Sequence, residues 1–236
     1  DIPFYGFLAC GLDGVSPPHT SVKKMATAYI SEIRNQQPTG PYFLAGECLG
    51  GLLAFEIALQ LKASGQEVAF LALLDTRYRS PGNYIFKFFK RFIKQLINSS
   101  QEIWHQKTLR SLPVKVFHEA IRLVIFLGDE VGLMWPNRHP DDPEARWRYM
   151  IRIRKTYKRV LQRYRPGRYV GDISFLASED TVLENVVSAW RPFISGKIEI
   201  QELTGNHDEY IRDYFKNTGK ILRDCFLKAR DTTEKS

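Results

Sequence analysis

Residues Gly46-Glu47-Cys48-Leu49-Gly50-Gly51 have the composition of a nucleophile set on a sharp turn. They stand between a short apolar run, residues 42–45, and a helix-patterned stretch, residues 49–63. A side chain at the top of such a strand-to-helix turn is held out toward substrate. The residues two before and two after it must be very small, or their side chains meet neighbouring backbone. Gly46 and Gly50 occupy those positions, and Gly51 permits close packing of the helix. The helix start adds partial positive charge, which favours a thiolate or a developing oxyanion at Cys48. The Leu49 N–H would point at that oxyanion. The same spacing also fits a cysteine merely packed beside an apolar helix, and the motif alone does not separate the two.

Two further residues weigh on that choice. Asp75 follows an uninterrupted apolar run, residues 68–74, the pattern of a strand buried on both faces of a parallel sheet. The carboxyl ends of adjacent parallel strands share one edge, where ligands bind, so Asp75 and Cys48 are expected on the same edge. His207, in Thr204-Gly205-Asn206-His207, follows the strand pattern of residues 197–203 and precedes the last helix. That places it at the same edge again. Singly, Asp75 reads equally as a turn former and His207 as a loop histidine. Jointly, their positions and the order nucleophile, acid, histidine match the catalytic triad of α/β-hydrolases. The other histidines follow no strand of this body: His19 and His139 fall in loops, His105 and His118 on helices. No pair has zinc-site spacing, so no metal is expected. Cys10, Cys48 and Cys225 include no CxxC, which reads as free thiols in a reducing cytoplasm.

The elements that must position these residues follow from periodicity. Val22, Met25, Ala26, Tyr29, Ile30 and Ile33 make a helical stripe after Ser21, and the Pro38–Pro41 segment ends it. With the apolar run at 3–9, the first 75 residues read strand, helix, strand, helix, strand, an α/β pattern with right-handed crossovers. From about residue 80 to 168 the rhythm becomes helical, with patterns at 84–97, 114–127 and 144–164. The last of these has the stripe Met150, Ile153, Tyr157, Val160 or Leu161, and Tyr164. Strand patterns return at 172–177 and 197–203, followed by a helix near 210–227 and a polar tail expected to fray. The expectation is a single domain, residues 1–236: a mostly parallel sheet with flanking helices and a helical lid insert.

Of the 236 residues, 44% are hydrophobic and 25% charged, which excludes disordered and disulfide-scaffold classes. No apolar run is long enough for a transmembrane segment, and no signal peptide is read. The net charge is +8, but residues 80–170 hold 19 Lys and Arg against 7 Asp and Glu, while the remainder holds 15 against 19. A basic insert in a mildly acidic body argues against a nucleic-acid binder. Lys87, Lys90, Arg91 and Lys94, or the basic run 146–168, read either as a docking face for an acidic partner or as solvated faces of lid helices.

The segments FYGFLACGLDGVSPPHTSVKKMATAYISEIR, GPYFLAGECLGGLLAFEIALQL, EVAFLALLDT and WRPFISGKIEIQELTGNHDEYI resemble the thioesterase domains of polyketide and nonribosomal peptide synthetases. The resemblance implies an α/β-hydrolase fold with Cys48 as nucleophile, His207 as general base and acid, and Asp75 orienting it. It implies an acyl or peptidyl substrate on the phosphopantetheine of a carrier protein, released by water or by an internal hydroxyl or amine. The carrier protein is the implied partner, and no cofactor of the domain's own is expected. Three departures stand out. The family usually has Ser where this chain has Cys48, and often Asp where it has Asn206. Family members also begin earlier, with a strand and a His-Pro-x-Gly-like loop that completes the oxyanion hole. The N-terminal strand and oxyanion loop are therefore expected to be missing here, as in a piece of a larger polypeptide.

Overall fold

The computed structural model describes residues 3–7, 10, 18–78, 153, 155–157, 159–161, 163–183 and 185–234. Helix α1 (Val22–Gln36) leads to strand β1 (Tyr42–Glu47), then helix α2 (Leu49–Ala63) and strand β2 (Val68–Leu74). After the long connection come strand β3 (Ile173–Ala177) and the short helix α3 (Glu179–Leu183). Strand β4 (Ile198–Glu202), the short helix α4 (Glu209–Arg212) and helix α5 (Phe215–Thr233) complete the order. The four strands lie in the order β1-β2-β3-β4 and pair in parallel throughout.

Parallel pairing buries both faces of the sheet, and β2 shows why its sequence is apolar without a break. Leu71 and Leu73 enter one hydrophobic cluster, while Phe70, Ala72 and Leu74 enter the other. Helices α1 and α2 cover the first face with Val22, Met25, Ala26, Tyr29, Phe55, Ala58 and Leu61. Helix α5 covers the second through Ile221, Leu222, Cys225 and Phe226, a stripe at helical spacing. The Phe226 ring lies 4.7 Å from that of Phe43 and 6.3 Å from that of Phe70. Aromatic pairs at these distances add about 0.5–1.5 kcal/mol each beyond the area they bury.

The helical patterns at 84–97 and 114–127 lie outside the described residues. Of the third, residues 153, 155–157, 159–161 and 163 are helical, and Ile153, Tyr157, Leu161 and Tyr164 of the expected stripe are buried in the first cluster. Glu56 of α2 is buried beneath them, and it accepts hydrogen bonds from the Tyr164 hydroxyl at 2.7 Å and the Gln60 amide at 2.8 Å. The end of the insert is thus anchored on the helix that follows Cys48.

Three expectations need correction. Residues 3–7 join no strand; Phe4 and Tyr5 are exposed, and Phe7 stacks on Tyr29 instead. The last helix is broken into α4 and α5, because the chain turns at Asp213 and Tyr214, with the Tyr214 N–H bonded back to the Glu209 carbonyl. The described part of the polar tail is helical: α5 runs to Thr233, with Thr232 and Thr233 hydroxyls bonded to carbonyls four residues back.

Candidate active site

Cys48 sits between β1 and α2 with φ 49° and ψ −111°, a left-handed backbone that costs an L-residue on the order of 1–3 kcal/mol. The surroundings hold it there. Its N–H donates to the Leu74 carbonyl at 2.8 Å, extending the sheet ladder by one residue. A Cβ on Gly46 would lie 2.4 Å from the Gly50 carbonyl oxygen, and one on Gly51 would lie 1.8 Å from the Thr76 hydroxyl. A Cβ on Gly50 meets nothing within 4 Å. Gly46 is thus closed to a side chain by backbone, and Gly51, where close packing of the helix is expected, by Thr76, whereas Gly50 has room for one. The reason is that the start of α2 passes β1 with Gly51 turned inward against Thr76 and Gly50 turned to solvent.

Asp75, at the exit of β2, also has a positive φ of 46° and is fully buried. Its Oδ1 accepts the Ser178 hydroxyl at 2.7 Å and the Ser178 N–H at 3.1 Å; its Oδ2 bonds His207 Nδ1. Burial alone would push the Asp75 carboxyl up, but hydrogen bonds from Thr181, His207 and Ser178 outweigh it and hold the group below the usual carboxylate range.

His207 is about one-third exposed. Its loop is stitched to α3: the Gly205 N–H donates to Glu179, the Glu179 N–H to the Gly205 carbonyl, and the His207 N–H to Asp180. Asn206 accepts from the N–H groups of Asp208 and Glu209, while the Glu209 carboxylate accepts the Asn206 N–H, a reciprocal cap at the start of α4. With Nδ1 committed to Asp75, Nε2 faces the mouth of the site, 4.0 Å from Glu47 Oε1. Cys48 Sγ, a Glu47 carboxylate oxygen and a His207 ring nitrogen all lie within 4.8 Å of one another.

Burial, then the Glu47 charge, push the Cys48 thiol up, against the opposing pull of the Leu49 N–H and Arg77. The Leu49 N–H lies close enough to the sulfur to oppose that rise. The arrangement fits a general-base attack, in which His207 takes the thiol proton as the bond forms.

The sequence reading assigned no role to Glu47, Tyr210, Ser178, Glu179, Asp180 or Thr181. The Tyr210 hydroxyl donates to Glu47 Oε1 at 3.0 Å, and burial followed by the Glu47 charge raises that phenol. The run Ser178-Glu179-Asp180-Thr181, polar residues massed at a strand end, was the available signal for the shell around Asp75 and His207.

A parallel sheet with helices on both faces and this edge-on constellation define an α/β-hydrolase fold. A family model described as the thioesterase domain matches residues 3–84. The chain is 29% identical over 211 residues to malpibaldin synthetase of Mortierella alpina, covering 88% of this chain and 3% of that protein. It is 42% identical over 78 residues to polyketide synthase PksR of Bacillus subtilis strain 168, covering 33% of this chain and 3% of that one. Among solved structures, the NocB thioesterase domain from the nocardicin cluster superposes with a TM-score of 0.57 at 21% identity. That match covers 92% of this chain and 78% of the other. The family match thus covers about a third of the chain, and the likeness to malpibaldin synthetase extends over most of it. It spans 2–3% of the length of the first curated relatives it matches.

Proposed function

We propose that this domain releases an acyl or peptidyl chain from carrier-protein phosphopantetheine through an acyl thioester on Cys48. The observation that carries the reading is the convergence of Cys48, His207 and Asp75 at the carboxyl edge of the sheet, with the Asp75 carboxylate buried on His207 Nδ1. Sγ attacks the substrate thioester carbonyl while His207 Nε2 takes the thiol proton. The Leu49 N–H receives the developing oxyanion; one such donor is worth on the order of 10²–10³ in rate. Collapse expels the pantetheine thiol, which takes the proton back from His207. Water, or an internal hydroxyl or amine, then gives its proton to His207 and attacks the Cys48 thioester, and Sγ leaves as the thiol. The domain's own residues supply this chemistry without a resident cofactor.

Exchange between two thioesters is nearly isoenergetic, so the acyl group keeps its driving force for the second step. A serine would hold it as a more stable oxyester. The cysteine therefore favours cyclisation or aminolysis over hydrolysis. Replacing Cys48 by Ser and measuring the ratio of cyclic product to free acid tests this; an unchanged ratio sinks it.

The reading itself is tested by intact-protein mass spectrometry after exposure to an acyl pantetheine thioester. An adduct on the native chain and none on Cys48→Ala is the expected result. A second reading, a non-catalytic module that binds acyl chains or carrier protein, draws on the raised Cys48 thiol. That reading takes over if no adduct forms even when the domain is tested within its full-length parent polypeptide.

A further inference from the structure

Glu47 has no part in the acyl-transfer scheme, yet it is built into the same mouth. Its Oε1 lies 4.0 Å from His207 Nε2, and the three donors Glu47, Cys48 and His207 fall within 4.8 Å of one another. We propose that Glu47, Cys48 and His207 form a site for a single zinc-class divalent cation, which on binding takes the nucleophile and the base out of reaction.

The donor set is one carboxylate oxygen, one thiol sulfur and one imidazole nitrogen. That mixture selects borderline-soft ions of the zinc and cobalt type over magnesium and calcium, which want oxygen alone. Zinc bonds of about 2.0–2.3 Å place tetrahedral donors roughly 3.3–3.8 Å apart. The donors here need to close by at most about 1–1.5 Å, a movement open to the ends of half-exposed side chains. The fourth position is left to water.

Each of two donors also has the outer partner that a metal ligand needs. Asp75 holds His207 Nδ1, which fixes the ring and directs Nε2 into the cluster, the carboxylate–histidine pairing found behind zinc ligands. Tyr210 donates to Glu47 Oε1 at 3.0 Å and fixes the carboxylate on the same side. The carboxylates of Glu47 and Asp75 make the mouth anionic, with Arg77 as the opposing cation near Cys48. A divalent ion relieves that imbalance, and the Sγ proton leaves to solvent as the metal–sulfur bond forms. Glu47 and His207 are both partly exposed, so the ion has access. Binding of the ion does not require the site to be catalytic; only its effect on the nucleophile and base rests on the thioesterase reading.

The experiment is a competition titration of the full chain with zinc against a chromophoric chelator, joined to the optical spectrum of the cobalt(II) form. One zinc per chain and a thiolate-to-cobalt charge-transfer band that Cys48→Ser abolishes are expected. E47Q, which keeps an acceptor for Tyr210, should weaken zinc by at least about tenfold, and Asp75→Asn by about 10- to 100-fold. A cobalt spectrum without the thiolate band, or E47Q binding as tightly as the native chain, overturns the proposal. Should a variant fail to melt cooperatively by circular dichroism, the native chain still decides. Saturating zinc must slow alkylation of Cys48 while magnesium does not; no protection, or equal protection by magnesium, overturns it.

Discussion

The turn around Cys48 is held by side chains that are not there, whereas the loop around His207 is held by side chains that hydrogen-bond. At the turn, Gly46 and Gly51 let the first turn of α2 lie against β1 and Thr76, and any Cβ would strike backbone or a buried hydroxyl. At the loop, Glu179, Asp180, Asn206 and Glu209 each satisfy backbone N–H groups, and Ser178 anchors the carboxylate that holds the imidazole. Steric exclusion fixes Cys48 with no adjustable part. A polar network fixes His207 with many parts, each replaceable at modest cost. The two halves of the site should therefore fail in different ways.

Substitutions can break or sharpen this contrast, beginning with the residue that joins both halves. Asp75→Asn keeps an acceptor for Ser178 but presents the wrong group to Nδ1; acyl-release rate is expected to fall on the order of 10⁴ with the fold retained. Steady-state kinetics on an acyl pantetheine thioester, with thermal melting as control, measures it. Gly46→Ala drives a methyl into the Gly50 carbonyl, which is backbone and has no rotamer to escape to. A loss of about 3 kcal/mol in urea unfolding is expected, the upper end for overpacking. Ser178→Ala removes one of two donors to Asp75 Oδ1, and about 1.5–3 kcal/mol of stability at neutral pH should go with it, the value of a hydrogen bond to a buried charge. Gly50→Ala is the smallest: with open space around it, stability should be unchanged or higher by up to about 1 kcal/mol, from helix propensity. If Gly50→Ala unfolds the chain as Gly46→Ala does, the turn is not held in the way its geometry indicates.

The same contrast explains what could be read from the residues. Strand β2 and helix α2 coincide with their expected bounds, because an unbroken apolar run between turn formers and a small-residue helix start are local facts. Cys48, Asp75 and His207 were legible for a related reason: each ends or follows a strand, and parallel strands end on one edge. The shell around them was not. Glu47 and Tyr210 are 163 positions apart, and Ser178 lies 103 from Asp75; no periodicity links such pairs. Close packing expected at Gly51 is there, against Thr76, while Gly50 faces open space, a difference in facing that spacing alone does not give. The rise of the Cys48 thiol was not legible for a similar reason, since the helix start is visible in sequence and the burial of the sulfur is not.

The sequence by itself determined the alternation of strands and helices, the turn at Cys48 and the edge shared by Cys48, Asp75 and His207. These follow from hydrophobic periodicity and chain sterics, which act between near neighbours. Among the described residues, only the tertiary structure decided that His207 gives Nδ1 to Asp75, that burial and then Glu47 raise the Cys48 thiol, and that sulfur, nitrogen and carboxylate converge within 4.8 Å. Electrostatics and hydrogen bonding depend on distance through space and on burial, and neither is set until the sheet has brought its strand ends together.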